Sequence, residues 1–149
     1  MVIITIAIRE TALQANRSAR RVTRSIHPEA APVITHVKFV SIPTHDQDRA
    51  LAFYTERLGF RVLTDQPHGD GQRWIELRIG TSDTRVVLFT TKDPPGSFYG
   101  TLACDNVERT YEELKGRGVE FVAPPKKEPW GTFAIFKDVD GNQLMLSSK

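Results

Sequence analysis

At 149 residues the chain is long enough for one domain, or for two small halves sharing a core. Its composition, 40% hydrophobic and 26% charged, is that of a globular protein, and no apolar run approaches the roughly 20 residues of a membrane span. A single cysteine, Cys104, excludes an intramolecular disulfide and any Cys-rich zinc module, and suits a reducing cytoplasm.

The net charge of +2 is unevenly spread. Residues 1–32 carry five Arg against two Glu, which leaves 15 basic and 16 acidic side chains in residues 33–149. That near-neutral remainder has no electrostatic footprint for nucleic acid. Residues 1–32 read as an N-terminal extension: an apolar start (Val2–Ile8), then Arg17, Arg20, Arg21 and Arg24, then a Pro- and Ala-rich stretch. The order is wrong for a secretory signal, which places positive charge before its apolar core. Three readings stay open: a disordered extension or one translated from a start codon placed too far upstream, a segment ordered only through a partner, and a mitochondrial-type targeting segment.

The domain proper is expected over 33–149. Residues Val33–Ile42 predict a strand that Pro43 closes. Asp46 or Asp48 caps a helix running to Leu58, with Leu51, Tyr54 and Leu58 on one face and Gly59 in the position of a left-handed cap. Strands follow at Phe60–Thr64, Arg73–Ile79 and Thr84–Thr91, separated by turn-rich stretches, and Asp93-Pro94-Pro95-Gly96 reads as a linker. The order then repeats. Tyr99–Cys104 is a strand, Asp105 precedes a helix carrying Val107, Tyr111 and Leu114 on one face, and Gly118 ends it. Val119–Ala123, Thr132–Lys137 and Leu144–Ser148 are three more strands, while Lys126-Lys127-Glu128 reads as a solvated loop.

Asp46 to Gly59 and Asp105 to Gly118 both span 13 positions, and the layout of strand, helix and three strands occurs twice. We read this as an internal duplication. The fold class expected is α+β: two tandem βαβββ modules, 33–92 and 97–149, forming a cupped mixed sheet with helices on the convex side.

Three segments carry a family resemblance. They are Asp46-Gln47-Asp48-Arg49-Ala50-Leu51-Ala52-Phe53-Tyr54 with Leu58-Gly59-Phe60, then Arg117-Gly118-Val119-Glu120-Phe121, then Phe136-Lys137-Asp138-Val139-Asp140-Gly141-Asn142. In this order and spacing the chain resembles the vicinal-oxygen-chelate superfamily of glyoxalases, bleomycin-resistance proteins and extradiol dioxygenases, with Val139 in place of the usual proline of the last turn. The resemblance implies four metal ligands, His or Gln and Glu, on four strands facing the cup. The corresponding positions hold Phe39, Leu88, Tyr99 (or Gly100 if the strand slips by one) and Met145, none of them a hard donor suited to such a site. No metal and no cofactor are therefore expected, and the cup is expected to be lined by apolar and aromatic side chains.

Two further stretches bear on what that cup holds. In Arg73–Ile79, Trp74, Glu76 and Arg78 share the face opposite Ile75 and Leu77, which places an indole, an acid and a guanidinium on the cup side. Glu76 is a candidate general base if desolvation raises its pKa, and a salt-linked strand face is the bland alternative. Trp130, between Pro129 and Gly131, is either an indole at the cup mouth or an edge plug of the core. His45 and His68 read as solvated loop histidines. The expected function is binding of a small, partly apolar or aromatic molecule by a homodimer. The alternatives are an enzyme (lyase, isomerase or dioxygenase) with an unusual metal site or with Glu76 as a metal-free base, and a dimer without a ligand.

Overall fold

The structure, a computed structural model, describes residue 34 and residues 36–69, 71–94 and 96–148. The expectations for residues 1–32 lie outside it. Every element among the described residues lies in the unit His36–Lys149. In chain order these are β1 (Phe39–Thr44), α1 (Gln47–Ala52) continued by one π-helical turn (Phe53–Arg57), β2 (Arg61–Pro67), β3 (Arg73–Arg78) and β4 (Arg85–Thr90). After the linker come β5 (Tyr99–Ala103), α2 (Val107–Gly116), β6 (Glu120–Phe121), β7 (Lys126–Glu128), β8 (Gly131–Lys137) and β9 (Gln143–Ser148). This is the α+β architecture expected, with the strand–helix–strands order visible in each half. No helix among the described residues is long and apolar enough to cross a membrane.

The first sheet runs β1-β4-β3-β2 and the second β5-β9-β8-β6, with β7 paired to β8. In each, the strand before the helix lies parallel to the last strand of its half, β1 on β4 and β5 on β9. β1 continues through Pro43 instead of stopping before it. It is an edge strand, where a proline's missing N–H can face away from the ladder. β7 is an addition to the expected strands. Lys126-Lys127-Glu128 has no apolar alternation to announce a strand, yet it forms a tight hairpin with β8, Glu128 opposite Gly131.

Asp46 caps α1 as expected, its carboxylate accepting from the backbone N–H of Asp48 and Arg49 at 3.0 Å each. The helix then widens: Leu58 N–H reaches back to Phe53 O, a five-residue span. The extra residue in that turn rotates the buried face, so Ala50, Phe53 and Tyr54 are buried and Leu51 and Leu58 only partly so. Gly59, at φ +75°, ends the element. The cap of α2 is Asn106, one residue beyond the expected Asp105, accepting from Arg109 N–H at 2.6 Å.

One core joins the halves. Phe53, Tyr54, Ile75, Leu77, Val86 and Leu88 from the first half cluster with Val107, Leu114, Ala134, Phe136, Leu144 and Leu146 from the second. These residues sit beneath the helices, which leaves the opposite face of each sheet outside the core.

The turn between β8 and β9 fastens the halves together. Asp138 Oδ1 accepts from the backbone N–H of Asp140 and Asn142, both at 2.9 Å, and Oδ2 accepts from the Tyr54 hydroxyl at 2.7 Å and the Asn142 amide at 2.9 Å. The Asn142 amide also donates to Pro43 O, and its oxygen accepts from Phe98 N–H. Asp140 accepts from the Thr44 hydroxyl at 2.6 Å, from the backbone N–H of His45, and from Arg49. The motif that reads as a tight turn in the sequence is thus a buried polar joint between the halves.

His45 is exposed in its loop, as expected, and its ring also reaches this joint. Nε2 lies 2.9 Å from Asp93 O and Nδ1 3.2 Å from Asp140 Oδ1. Two acceptors need two N–H donors, which only the imidazolium has. The Asp93 carbonyl first, then Asp140, holds the His45 pKa above its ordinary 6.5. Burial pushes the Asp140 carboxyl up, but Thr44, His45 and Arg49 outweigh it and hold it below its ordinary 3.8. A raised histidine contributes stability below its unfolded pKa that is lost as pH rises through the folded value; a lowered carboxyl contributes above its unfolded pKa and loses it in acid. Maximum stability is therefore expected between about pH 4 and 6.5. Melting temperature measured against pH should fall on the alkaline side in the native chain, and His45→Gln should remove that limb; a flat native profile from pH 6 to 8 contradicts the assignment.

Candidate functional site

The face of the first sheet away from the core carries the densest chemistry. Strand register sorts its residues into rows. Phe39, Arg85, Arg78 and Arg61 stand opposite one another across β1, β4, β3 and β2, and Ser41, Val87, Glu76 and Thr64 form the next row. Trp74 pairs with Gln66 beyond them. The indole is held on three sides. The Phe39 ring meets it edge-on at 5.7 Å between centroids, the His68 ring lies at 5.6 Å, and Nε1 donates to Glu76 Oε1 at 2.9 Å. Glu76 Oε2 accepts from Arg85 at 2.5 Å.

This arrangement sets the electrostatics of Glu76. The Trp74 N–H and the Arg85 guanidinium hold its carboxyl below the ordinary range, outweighing the burial that acts the other way. A general base poised near neutrality needs the opposite shift and a free oxygen. Glu76 instead accepts from the Trp74 indole and pairs with Arg85, the geometry of the salt-linked strand face that the sequence also allowed.

Leu88 also differs from its expected place. It is 0% exposed and belongs to the core under the helices, opposite Ile75. The β4 position on the face of Glu76 is Val87. The sequence Val86-Val87-Leu88 is buried on both sides, so alternation along β4 vanishes and the parity is set only by the register.

The remaining expected residues lie in the second half. Tyr99 and Met145, with Gly100, Thr101, Ile135 and Gln143, line an open groove of about 340 Å³. Tyr99 is 71% exposed. Trp130 sits in the turn between β7 and β8, 60% exposed and stacked on Phe133 at 5.1 Å. Phe39, Trp74, Glu76 and Arg78 are thus gathered on one face, Tyr99 and Met145 on another, and Trp130 at a hairpin tip. The structure adds Arg61, Arg85 and Val87 to the Trp74 face, and sets His68, expected as a solvated loop residue, against Trp74. The arginines come into one row only through the register of three consecutive strands, β2, β3 and β4.

Residues 34–146 match the sequence profile of the Glyoxalase/Bleomycin resistance protein/Dioxygenase superfamily. The chain belongs to that family. Among solved structures, two proteins from Streptomyces sp. CB03234 are similar. TnmS3, an antibiotic binding protein, is 40% identical with TM-score 0.71, over 78% of this chain and 98% of its own. A glyoxalase/bleomycin resistance protein is 39% identical with TM-score 0.66, over 76% of this chain and all of its own. YetH of Bacillus subtilis, an uncharacterized protein, is 35% identical over 118 residues, 76% of this chain and 98% of the relative.

The metal that superfamily resemblance implies does not fit these residues. Phe39, Leu88, Tyr99 and Met145 present no imidazole nitrogen and no carboxylate, and Val87, which takes the face that Leu88 lacks, offers no donor at all. Among the described residues no group of three or more His, Cys, Asp or Glu side chains is placed to hold a metal ion.

Proposed function

We propose that this superfamily member is a small-molecule-binding protein that works without a metal and takes a flat, partly apolar or aromatic ligand on the concave face of its first sheet. The observation that carries the reading is the fixed indole. Trp74 is clamped by Phe39, His68 and Glu76 while remaining partly exposed. A large rigid ring already held in place loses little freedom on binding, so stacking on it yields net affinity. The similar Streptomyces protein TnmS3 is described as an antibiotic binding protein, which supports the same class of ligand here.

The repeated strand–helix–strands order supports an internal duplication, and the two sheet faces outside the core support a homodimer in which a second copy completes each cup. The groove at Tyr99 and Met145 is then the part of the cup furnished by the second half. Catalysis by Glu76 is not favoured, since both its oxygens are engaged.

Titration with phenylnaphthylamine, a neutral aromatic whose fluorescence rises on apolar burial, tests the reading. Saturable binding is expected, and Trp74→Ala should weaken it about 30-fold, the effect of losing a central aromatic anchor of roughly 2 kcal/mol. Absence of saturable binding, or equal binding by Trp74→Ala, overturns it. Sedimentation of the same samples reads the dimer, which a monomer at every concentration removes from the proposal.

A further inference from the structure

The arginine row beside Trp74 is costly unless something else uses it. Arg61 faces Arg78, and Arg78 faces Arg85, on adjacent strands of the same sheet face. Neighbouring strands lie about 4.8 Å apart, and like charges directly opposite one another are destabilising. One acid serves the row: Glu76 pairs with Arg85, and its second oxygen is committed to the indole. Among the described residues Arg61 and Arg78 have no ion-pair partner, and Arg78 Nε is buried without a hydrogen bond. Lys38, at the entry to β1, adds a further positive charge felt at Glu76. This concentration of cations stands in a domain whose residues 33–149 carry 15 basic against 16 acidic side chains, so it is not an accident of a basic chain.

We propose that Arg61 and Arg78, steadied by the Arg85–Glu76 pair, bind an oxyanion (carboxylate, sulfonate or phosphate) carried by the aromatic ligand whose ring stacks on Trp74. The inference rests on the binding reading above and narrows its ligand to an aromatic acid. A guanidinium offers five N–H donors in a planar fork that matches two oxygens of such a group, and charge-assisted bonds of this kind are the stronger class. The indole and the arginines share one face, with Glu76 bonded to both Trp74 and Arg85. One ligand can therefore reach both, its ring on Trp74 and its acid on the row.

A matched pair of probes tests this on the full chain: anilinonaphthalene sulfonate and phenylnaphthylamine, which share the ring system and differ in the sulfonate. The sulfonate is expected to bind at least about tenfold more tightly than its neutral partner, with a steep loss at high salt. Arg78→Gln should erase that preference and leave the neutral probe's affinity unchanged, which also shows that the variant is folded; Arg61→Gln is the second variant and Arg78→Lys should keep part of the preference. Inorganic sulfate should compete with the sulfonate probe and not with the neutral one. Equal affinities of the two probes in the native chain, or Arg78→Gln weakening both alike, overturn the oxyanion row while leaving the Trp74 site standing. Sulfate that strengthens binding of the neutral probe overturns the claim that the oxyanion and ring belong to one molecule. If neither probe binds, the binding reading and the row fall together.

Discussion

Asp138→Ala is expected to destabilise the domain by roughly 3–5 kcal/mol, because it strands several buried donors at once. The Asp138 carboxylate accepts four hydrogen bonds: two from backbone N–H groups of its own turn, one from the Asn142 amide and one from the Tyr54 hydroxyl of the other half. Tyr54 is 0% exposed, and burial, then the Asp138 charge, pushes its phenol far above the ordinary range. The hydroxyl therefore remains a proton donor at every pH at which the domain folds. With alanine at 138 the hydroxyl and both N–H groups lose their acceptor, and the Asn142 amide keeps only Pro43 O, in a space too enclosed for free solvation. Tyr54→Phe is the informative control: it removes one donor and leaves an apolar ring, so about 1 kcal/mol is expected. Urea denaturation measures both, with the midpoint moving and the slope constant. A loss below 1 kcal/mol for Asp138→Ala contradicts this account of the joint.

Much of the fold was legible because its punctuation is local. Asp46 as a cap and Gly59 as the residue at positive φ follow from side-chain chemistry within a few positions, and the structure shows both. The alternation of Trp74, Glu76 and Arg78 against Ile75 and Leu77 was legible for the same reason, since one face of β3 is polar. What failed to show depends on distant pairing or on irregular backbone. Nothing in Val86-Val87-Leu88 tells the two faces apart until Ile75 and Glu76 lie opposite. The π turn after Ala52 moves the buried stripe of the helix without any proline or glycine to signal it. His45 carries no motif either, and its partners Asp93 and Asp140 lie 48 and 95 positions away. The arginine row needed three strands in register. The tight turn at Asp138 was visible as a motif, but its partner Tyr54 lies 84 positions earlier.

Leu88→Ala and Trp74→Ala are expected to have opposite profiles, and the pair shows which face of the first sheet does the binding. Leu88 packs in the core with no exposed surface. Its truncation should cost about 2–5 kcal/mol, the lost burial plus the cavity left behind where close-packed neighbours cannot collapse fully. Its side chain points away from Glu76 and Trp74, so the molecules that remain folded should bind phenylnaphthylamine within about twofold of the native affinity, well under the 1.4 kcal/mol that a tenfold change requires. Trp74 stands on the other side of the same sheet. Its removal gives up ring contacts with Phe39 and His68 and frees one oxygen of Glu76, a smaller loss for stability than the Leu88 cavity, but it takes away the stacking surface itself. Calorimetric or urea stability and probe affinity, measured on both variants at a temperature where each is folded, separate the two roles. A Leu88→Ala protein of native stability with weakened binding places Leu88 on the ligand face and overturns the register; a Trp74→Ala protein that is unstable yet binds normally reduces the indole to core filling and removes the site.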